Sequence, residues 1–217
     1  MEAGAVAALH GVELRYRRRG DGPAVLCIHE TASTGEIWRP LAEELSGEAS
    51  VIAYDRRGWG ESTAPEPYLR TTIEEQSEDA AALLEHLGAE AALVCGAGLG
   101  AVAALDLMLR RPERAHAALL IEPPLLAFVA DATEGLSTDA ARIQAAVADG
   151  GPGAALDLYL QGELPSIGAS ADRVPAEVAA RARSSPLSFF AELSAVPAWS
   201  VSPSGLGEAR VPSRIVR

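Results

Sequence analysis

The stretch 91–111, AALVCGAGLGAVAALDLMLRR, constrains this chain more than any other. Ala91 to Cys95 is a short apolar run of the kind that forms a buried strand. Gly96, Gly98 and Gly100 follow at alternate positions. Ala101 to Arg111 then carries apolar residues at helical spacing, and Pro112 stops the helix. Strand, sharp glycine turn and helix is an arrangement in which α/β chains concentrate their chemistry. Two kinds of site share it. A nucleophile-bearing turn, G-x-S-x-G, would read Gly96-Ala97-Gly98-Leu99-Gly100, with glycine where serine belongs. A dinucleotide-binding turn, G-x-G-x-x-G/A, would use Gly96, Gly98 and Ala101, with Glu122 at the end of the next strand. A third reading gives the glycines no ligand and only a close approach of helix to strand.

The flanking residues set the class. Residues 5–9 and 12–18 read as two strands about a His10-Gly11 turn, the second alternating Val12, Leu14 and Tyr16 with charged residues. Ala24 to Ile28, Val51 to Tyr54 and Ala117 to Ile121 are further short apolar runs. Helices are expected over Trp38 to Leu45 and over Thr71 to Leu87, the latter closed by Gly88. Alternating strands and helices predict a mostly parallel α/β sheet with helices on both faces and an antiparallel N-terminal strand pair. Ligands of such sheets bind beyond the carboxyl ends of the strands. The loops there are 29–35, 55–62 and 96–100, with Glu122 and its loop as a fourth. The character changes near residue 125. Thr138 to Ala148, Ala154 to Gln161, Pro175 to Arg183 and Leu187 to Val196 read as short helices, with breaks that include Gly162 to Ser170. The organisation expected is therefore a core over 1–124, a helical cap or insertion over 125–210, and the start of a further core strand over 211–217.

Composition excludes several classes. The net charge is −12, so there is no basic footprint for nucleic acid and no polybasic membrane patch. All 18 cationic side chains are arginine, which removes a Schiff-base or P-loop lysine. No run is long and apolar enough to span a bilayer, no signal peptide is visible, and Cys27 and Cys95 lie in apolar runs. The expected setting is the cytoplasm, with two buried thiols and no disulfide. No metal-ligand spacing occurs, and no cofactor is expected.

Five features taken together resemble the α/β-hydrolase fold superfamily. They are the apolar run ending Cys27-Ile28-His29-Glu30, the Trp38-Arg39-Pro40-Leu41 helix start, and the D-x-R-G-x-G-x-S pattern met by Asp55, Arg57, Gly58, Gly60 and Ser62. Leu87-Gly88 before the glycine turn and the RRPER segment, Arg110 to Arg114, complete the set. The resemblance runs from about Gly11 to Pro124. It makes 96–100 a nucleophile elbow whose nucleophile position is Gly98. It implies that Leu99 and either Glu30 or Thr31 supply oxyanion-hole N–H groups, that the His29 imidazole bonds loop backbone, and that Glu122 is a candidate catalytic acid. His29, Glu30, Thr31 and Leu99 are the candidate ligand-contacting residues.

The departures are as informative. Gly98 offers no nucleophile, and Glu30 stands where the family usually has glycine. His10, His29, His86 and His116 all precede Glu122, whereas the family places its histidine after the cap, on strands this chain does not reach. The functional expectation is an apolar pocket between the cap and the loops at 29–35 and 96–100, binding a small molecule or catalysing a non-hydrolytic step. A hydrolase using activated water, a fragment of a longer hydrolase and a nucleotide-binding oxidoreductase are the alternatives. The last strand should present an open edge that pairs with a second copy.

Overall fold

A computed structural model describes residues 4–167 and 174–216. Arg217 and part of the expected 162–170 break lie outside the described residues. Seven strands form one sheet: β1 (Ala5–Leu9), β2 (Val12–Arg19), β3 (Ala24–Ile28), β4 (Ser50–Tyr54), β5 (Ala92–Ala97), β6 (Ala115–Ile121) and β7 (Ser213–Val216). Their order is β1-β2-β4-β3-β5-β6-β7. β1 and β2 form a hairpin in which His10 and Gly11 both take positive φ, 48° and 79°, as a two-residue turn matched to strand twist requires. β2 also runs antiparallel to β4, and every later pairing is parallel.

Because side chains alternate along each strand, the sheet has two different faces. Leu26, Ile28, Ile52, Val94 and Leu120 point to one face, which α2 (Ile73–His86) and α3 (Leu99–Arg110) cover. Thr72 opens α2 with a capping box, its hydroxyl accepting from the Glu75 N–H while the Glu75 carboxylate accepts from the Thr72 N–H. On the other face Val25, Cys27, Val51, Ala53 and Cys95 pack against Trp38 and Ala42, at the start of and within α1 (Arg39–Glu44). Towards β6 that face holds Leu93, Ala97, Leu119 and Ile121 only partly buried. β7 ends the sheet among the described residues, with all four side chains exposed.

The helices after β6 form their own layer: α4 (Ala132–Leu160), α5 (Ala176–Ala182), α6 (Pro186–Glu192), α7 (Ala195–Ala198) and α8 (Pro203–Gly207). The breakers separate two helical arms of α4 as expected: Gly151 takes a non-helical φ 74°, ψ −170°, and Pro152 starts the second arm, where its missing N–H costs least. The helix expected over Leu187 to Val196 is divided into α6 and α7. α8 was not expected; Ser202 caps it by accepting from the Gly205 N–H at 3.0 Å, with Pro203 at its first position. This layer buries a cluster of its own, with Leu156, Tyr159, Leu164 and Phe189 closing around Trp59 and Ala32 from the core loops. Trp199 returns the chain to the core, its indole N–H donating to the buried Asp106 on α3 at 2.9 Å.

Candidate active site

The β5–α3 turn has the backbone of an elbow. Gly98 sits at φ 52°, ψ −124°, a conformation that side-chain-bearing residues adopt only under strain, and Leu99 begins α3 at once. The neighbouring glycines have a different cause. A Cβ on Gly96 would run into the backbone of Gly100 and Ala101, and one on Gly100 into the carbonyls of Ile28 and His29. Both are set by the close packing of α3 on β5 and β3, which needs no phosphate. A Cβ on Gly98 would lie 2.9 Å from the Glu30 Cβ and 3.7 Å from Glu30 Oε2. The first distance is well inside van der Waals contact, so Glu30 occupies ground that a side chain at 98 would need.

Behind this turn lies a closed polar network. The His29 imidazole is fully buried, and its Nε2 accepts from the Arg56 N–H at 2.9 Å. Nδ1 therefore carries the proton and donates to the Glu30 carbonyl at 2.7 Å. Burial and the adjacent Arg56 charge hold His29 well below its ordinary pKa, which keeps this tautomer neutral. The Arg56 guanidinium is also fully buried. Nε donates to the His29 carbonyl (2.8 Å). One terminal nitrogen donates to Gln76 Oε1 (3.2 Å) and Glu192 Oε1. The other donates to the Glu30 carbonyl (3.1 Å) and Glu192 Oε2 (3.2 Å). Glu192, on α6, further accepts from Trp59 Nε1 at 2.7 Å and from the Thr31 hydroxyl at 2.8 Å. Every guanidinium N–H and every carboxylate lone-pair direction is used.

The 55–62 loop is held as tightly. Asp55 accepts from the N–H groups of Gly35 (2.8 Å) and Glu61 (2.9 Å), and Gly60 leaves room for that carboxylate. Burial still raises the Asp55 carboxyl above its usual value, against those two donors. Ser62 donates to the Asp55 carbonyl at 2.6 Å. Arg57 makes a two-pronged pair with the buried Asp79 on α2, both contacts at 2.7 Å.

Two cavities meet at Gly98. One, of about 40 Å³, lies under the helical layer; Thr31, Gly98, Leu99, Tyr159 and Glu192 contribute its polar lining among apolar walls that include Leu126, Phe189 and Val196. The other, of about 240 Å³, lies beside Glu30, Trp38, Gly98, Ile121 and Glu122. Burial, with the Glu30 and Glu192 charges adding, pushes the Tyr159 phenol up, so it is a hydrogen-bond donor.

A family model described as the alpha/beta hydrolase fold matches residues 23–202. The chain belongs to that family. It is 34% identical over 116 residues to the uncharacterized hydrolase YraK of Bacillus subtilis, covering 54% of this chain and 43% of YraK. It is 30% identical over 167 residues to the 2-(acetamidomethylene)succinate hydrolase of Mesorhizobium japonicum, covering 76% of this chain and 58% of that enzyme. The chain thus spans about half the length of the curated relatives it matches. A solved hydrolase from Pseudomonas aeruginosa superposes with a TM-score of 0.72 at 21% identity, over 99% of this chain and 79% of that one, which speaks for the fold.

Within this alpha/beta-hydrolase fold, Gly98, Leu99 and Thr31 line the smaller cavity, and Glu30 and Glu122 border the larger one. His29 is not among the lining residues of either; it fixes the loop backbone from behind. Glu122 follows β6 at φ 47° and gives its N–H to the Val216 carbonyl at 2.8 Å. Arg56, Trp59, Tyr159 and Glu192 were not foreseen from sequence. Glu192 left a trace: it is a lone acid inside the apolar run SFFAEL.

Proposed function

We propose that the protein binds a small, mostly apolar molecule in the cap-covered cavity beside Gly98 and forms no covalent acyl intermediate with it. The observation that carries this reading is the fit between Gly98 and Glu30. The elbow apex has no side chain, and a Cβ there would meet Glu30 at 2.9 Å. A site rebuilt around glycine supports a role other than serine hydrolysis. The buried thiols of Cys27 and Cys95 favour a reducing, cytoplasmic setting.

The test uses the chain as it stands. Short-chain esters, lactones and ketones should raise Tm and quench tryptophan fluorescence saturably, and a fluorophosphonate probe should add no mass. Stoichiometric labelling of one serine overturns the proposal.

A second reading is hydrolysis by a water activated by Glu30 or Glu122. The two carboxylates bordering one cavity beside the elbow favour it, as do relatives named as hydrolases. Single turnover of p-nitrophenyl butyrate in H2(18)O, with label in the butyrate and none in the protein, would select it.

A further inference from the structure

Two thiols meet across the strands that carry the elbow and the loop facing it. Cys27 on β3 and Cys95 on β5 are direct partners in the parallel register, and both lie on the face that packs against Trp38 and Ala42. Both are free cysteines. Neighbouring strands run about 4.8 Å apart, inside the Cα separation of about 4.4–6.8 Å that a disulfide spans. The sulfurs are already in contact. The Cys27 S–H donates to the Cys95 sulfur and holds that thiol below its ordinary pKa, while burial and the same bond push Cys27 well up. Of the two, Cys95 is the nucleophile and Cys27 the thiol that resolves it. Cys95 is only 2% exposed, yet it stands where the cover thins. Leu93 and Ala97 on β5, and Leu119 beside Cys95 on β6, are partly buried, and Ala97 and Ile121 line the cavity of about 240 Å³. A small oxidant can approach from that side, and a bulky reagent cannot. The pair also sits in line with the site. Cys27 precedes Glu30 by three residues, and Cys95 precedes Gly98 by three. Positions 30 and 98 are those that a Cβ on Gly98 would bring to 2.9 Å. A disulfide holds its Cβ atoms about 3.8 Å apart, roughly 1 Å less than the strand spacing. Closing it draws together the strands from which the two loops spring.

We propose that Cys27 and Cys95 form a redox modification site that takes a small hydroperoxide, closes reversibly to a disulfide and resets the gap between the 29–35 and 96–100 loops. Cys95 gives up its proton, and the thiolate attacks one peroxide oxygen. The O–O bond breaks, the departing oxygen takes a proton and leaves as water or an alcohol, and Cys95 becomes a sulfenic acid. The Cys27 sulfur then attacks the Cys95 sulfur. The S–O bond breaks, and the hydroxide leaves as water with the Cys27 proton. Two thiols are oxidised to one disulfide, and one hydroperoxide is reduced. A dithiol reductant reverses the change by thiol–disulfide exchange. The free thiols of the resting chain suit a reducing setting, where a disulfide is transient and acts as a sensor.

The test uses the whole chain and needs no ligand, so it stands apart from the binding reading above. The folded protein is treated with a few equivalents of hydrogen peroxide. It is then followed by intact mass, by thiol titration after denaturation, and by hydrogen exchange of the amides at 29–35 and 96–100. The wild-type chain should lose two hydrogens in mass and both titratable thiols while remaining a single chain. Exchange in both loops should shift, and dithiothreitol should restore all three readings. Cys27→Ala should gain oxygen at Cys95 and form no link, and Cys95→Ala should leave Cys27 titratable. Two thiols that survive the treatment, a wild-type Cys95 that keeps its added oxygen, or a link between chains overturns the proposal. So does a disulfide that leaves exchange in both loops unchanged, because the pair then has no hold on the site. Should either variant fail to fold, the wild-type mass, exchange and dithiothreitol reversal decide by themselves.

Discussion

Replacing Glu192 with leucine strips the acceptor from four donors at once. The Arg56 guanidinium, fully buried, loses two of its partners and its counter-charge. Trp59 Nε1 and the Thr31 hydroxyl lose theirs as well. Breaking a buried ion pair from one side costs about 3–5 kcal/mol. Each stranded neutral donor adds about 1–3 kcal/mol, less where water enters the gap. Neighbouring losses are not additive, so we expect about 5 kcal/mol for Glu192→Leu, a large share of the roughly 5–15 kcal/mol that holds an ordinary domain. At about 2–4 °C per kcal/mol for a chain of this size, Tm should fall by about 10–20 °C. Glu192→Gln keeps the shape but turns an amide NH2 towards arginine donors, and should cost about half as much. The double variant Arg56→Met with Glu192→Leu removes the stranded charge, so it should be more stable than the sum of the single losses by about 3 kcal/mol. The assay is equilibrium urea unfolding followed by tryptophan fluorescence, where Trp59 reports directly. A Glu192→Leu cost under about 1 kcal/mol, or a double variant that shows the full sum, refutes the claim that this pair clamps the helical layer to the core.

Three further outcomes follow from the geometry. Gly98→Ser alone should lower stability by about 1–3 kcal/mol through strain and contact with Glu30, and should not react with a fluorophosphonate; adding Glu30→Gly should recover part of the Tm, and a Tm unchanged by Gly98→Ser would show the elbow to be looser than described. His29 is held neutral in the fold, so the unfolded chain binds the extra proton. Stability should therefore hold above about pH 7 and decline below about pH 6.5, by up to about 1.4 kcal/mol per pH unit; urea unfolding at several pH values should show this slope reduced in His29→Asn, and equal slopes refute it. The outer edge of β7, with Ile215 and Val216 exposed, should pair with β7 of a second copy, so light scattering should report a dimer that Ile215→Arg dissociates; a monomer at high concentration in the wild type rules this out.

Much of the core was readable because its signals are local. The strand at 24–28 appears with the expected limits, since an apolar run bounded by Gly20-Asp21-Gly22-Pro23 has few other uses. The glycine turn was legible as a turn for the same reason. What 96 and 100 do was only one of three readings, because the backbone that each must clear, that of Gly100 and Ala101 for Gly96 and the Ile28 and His29 carbonyls for Gly100, is set by the fold. The helices after β6 were found only in outline: the break at Gly151 and Pro152 was legible, whereas the division of 187–196 into α6 and α7, and α8, were not. Arg56 and Glu192 were missed because neither signals burial alone. A charged residue is read as solvent-facing until its partner is known, and here the partner is 136 residues distant.

The contact between Gly98 and Glu30 also bears on how such a site can change over generations. Serine at 98 meets the Glu30 side chain, and glycine at 30 opens space without supplying a nucleophile. Each change alone is neutral at best, and only the pair restores room for a reactive hydroxyl. The two positions are therefore coupled: a reactive hydroxyl at 98 needs a smaller residue at 30 at the same time.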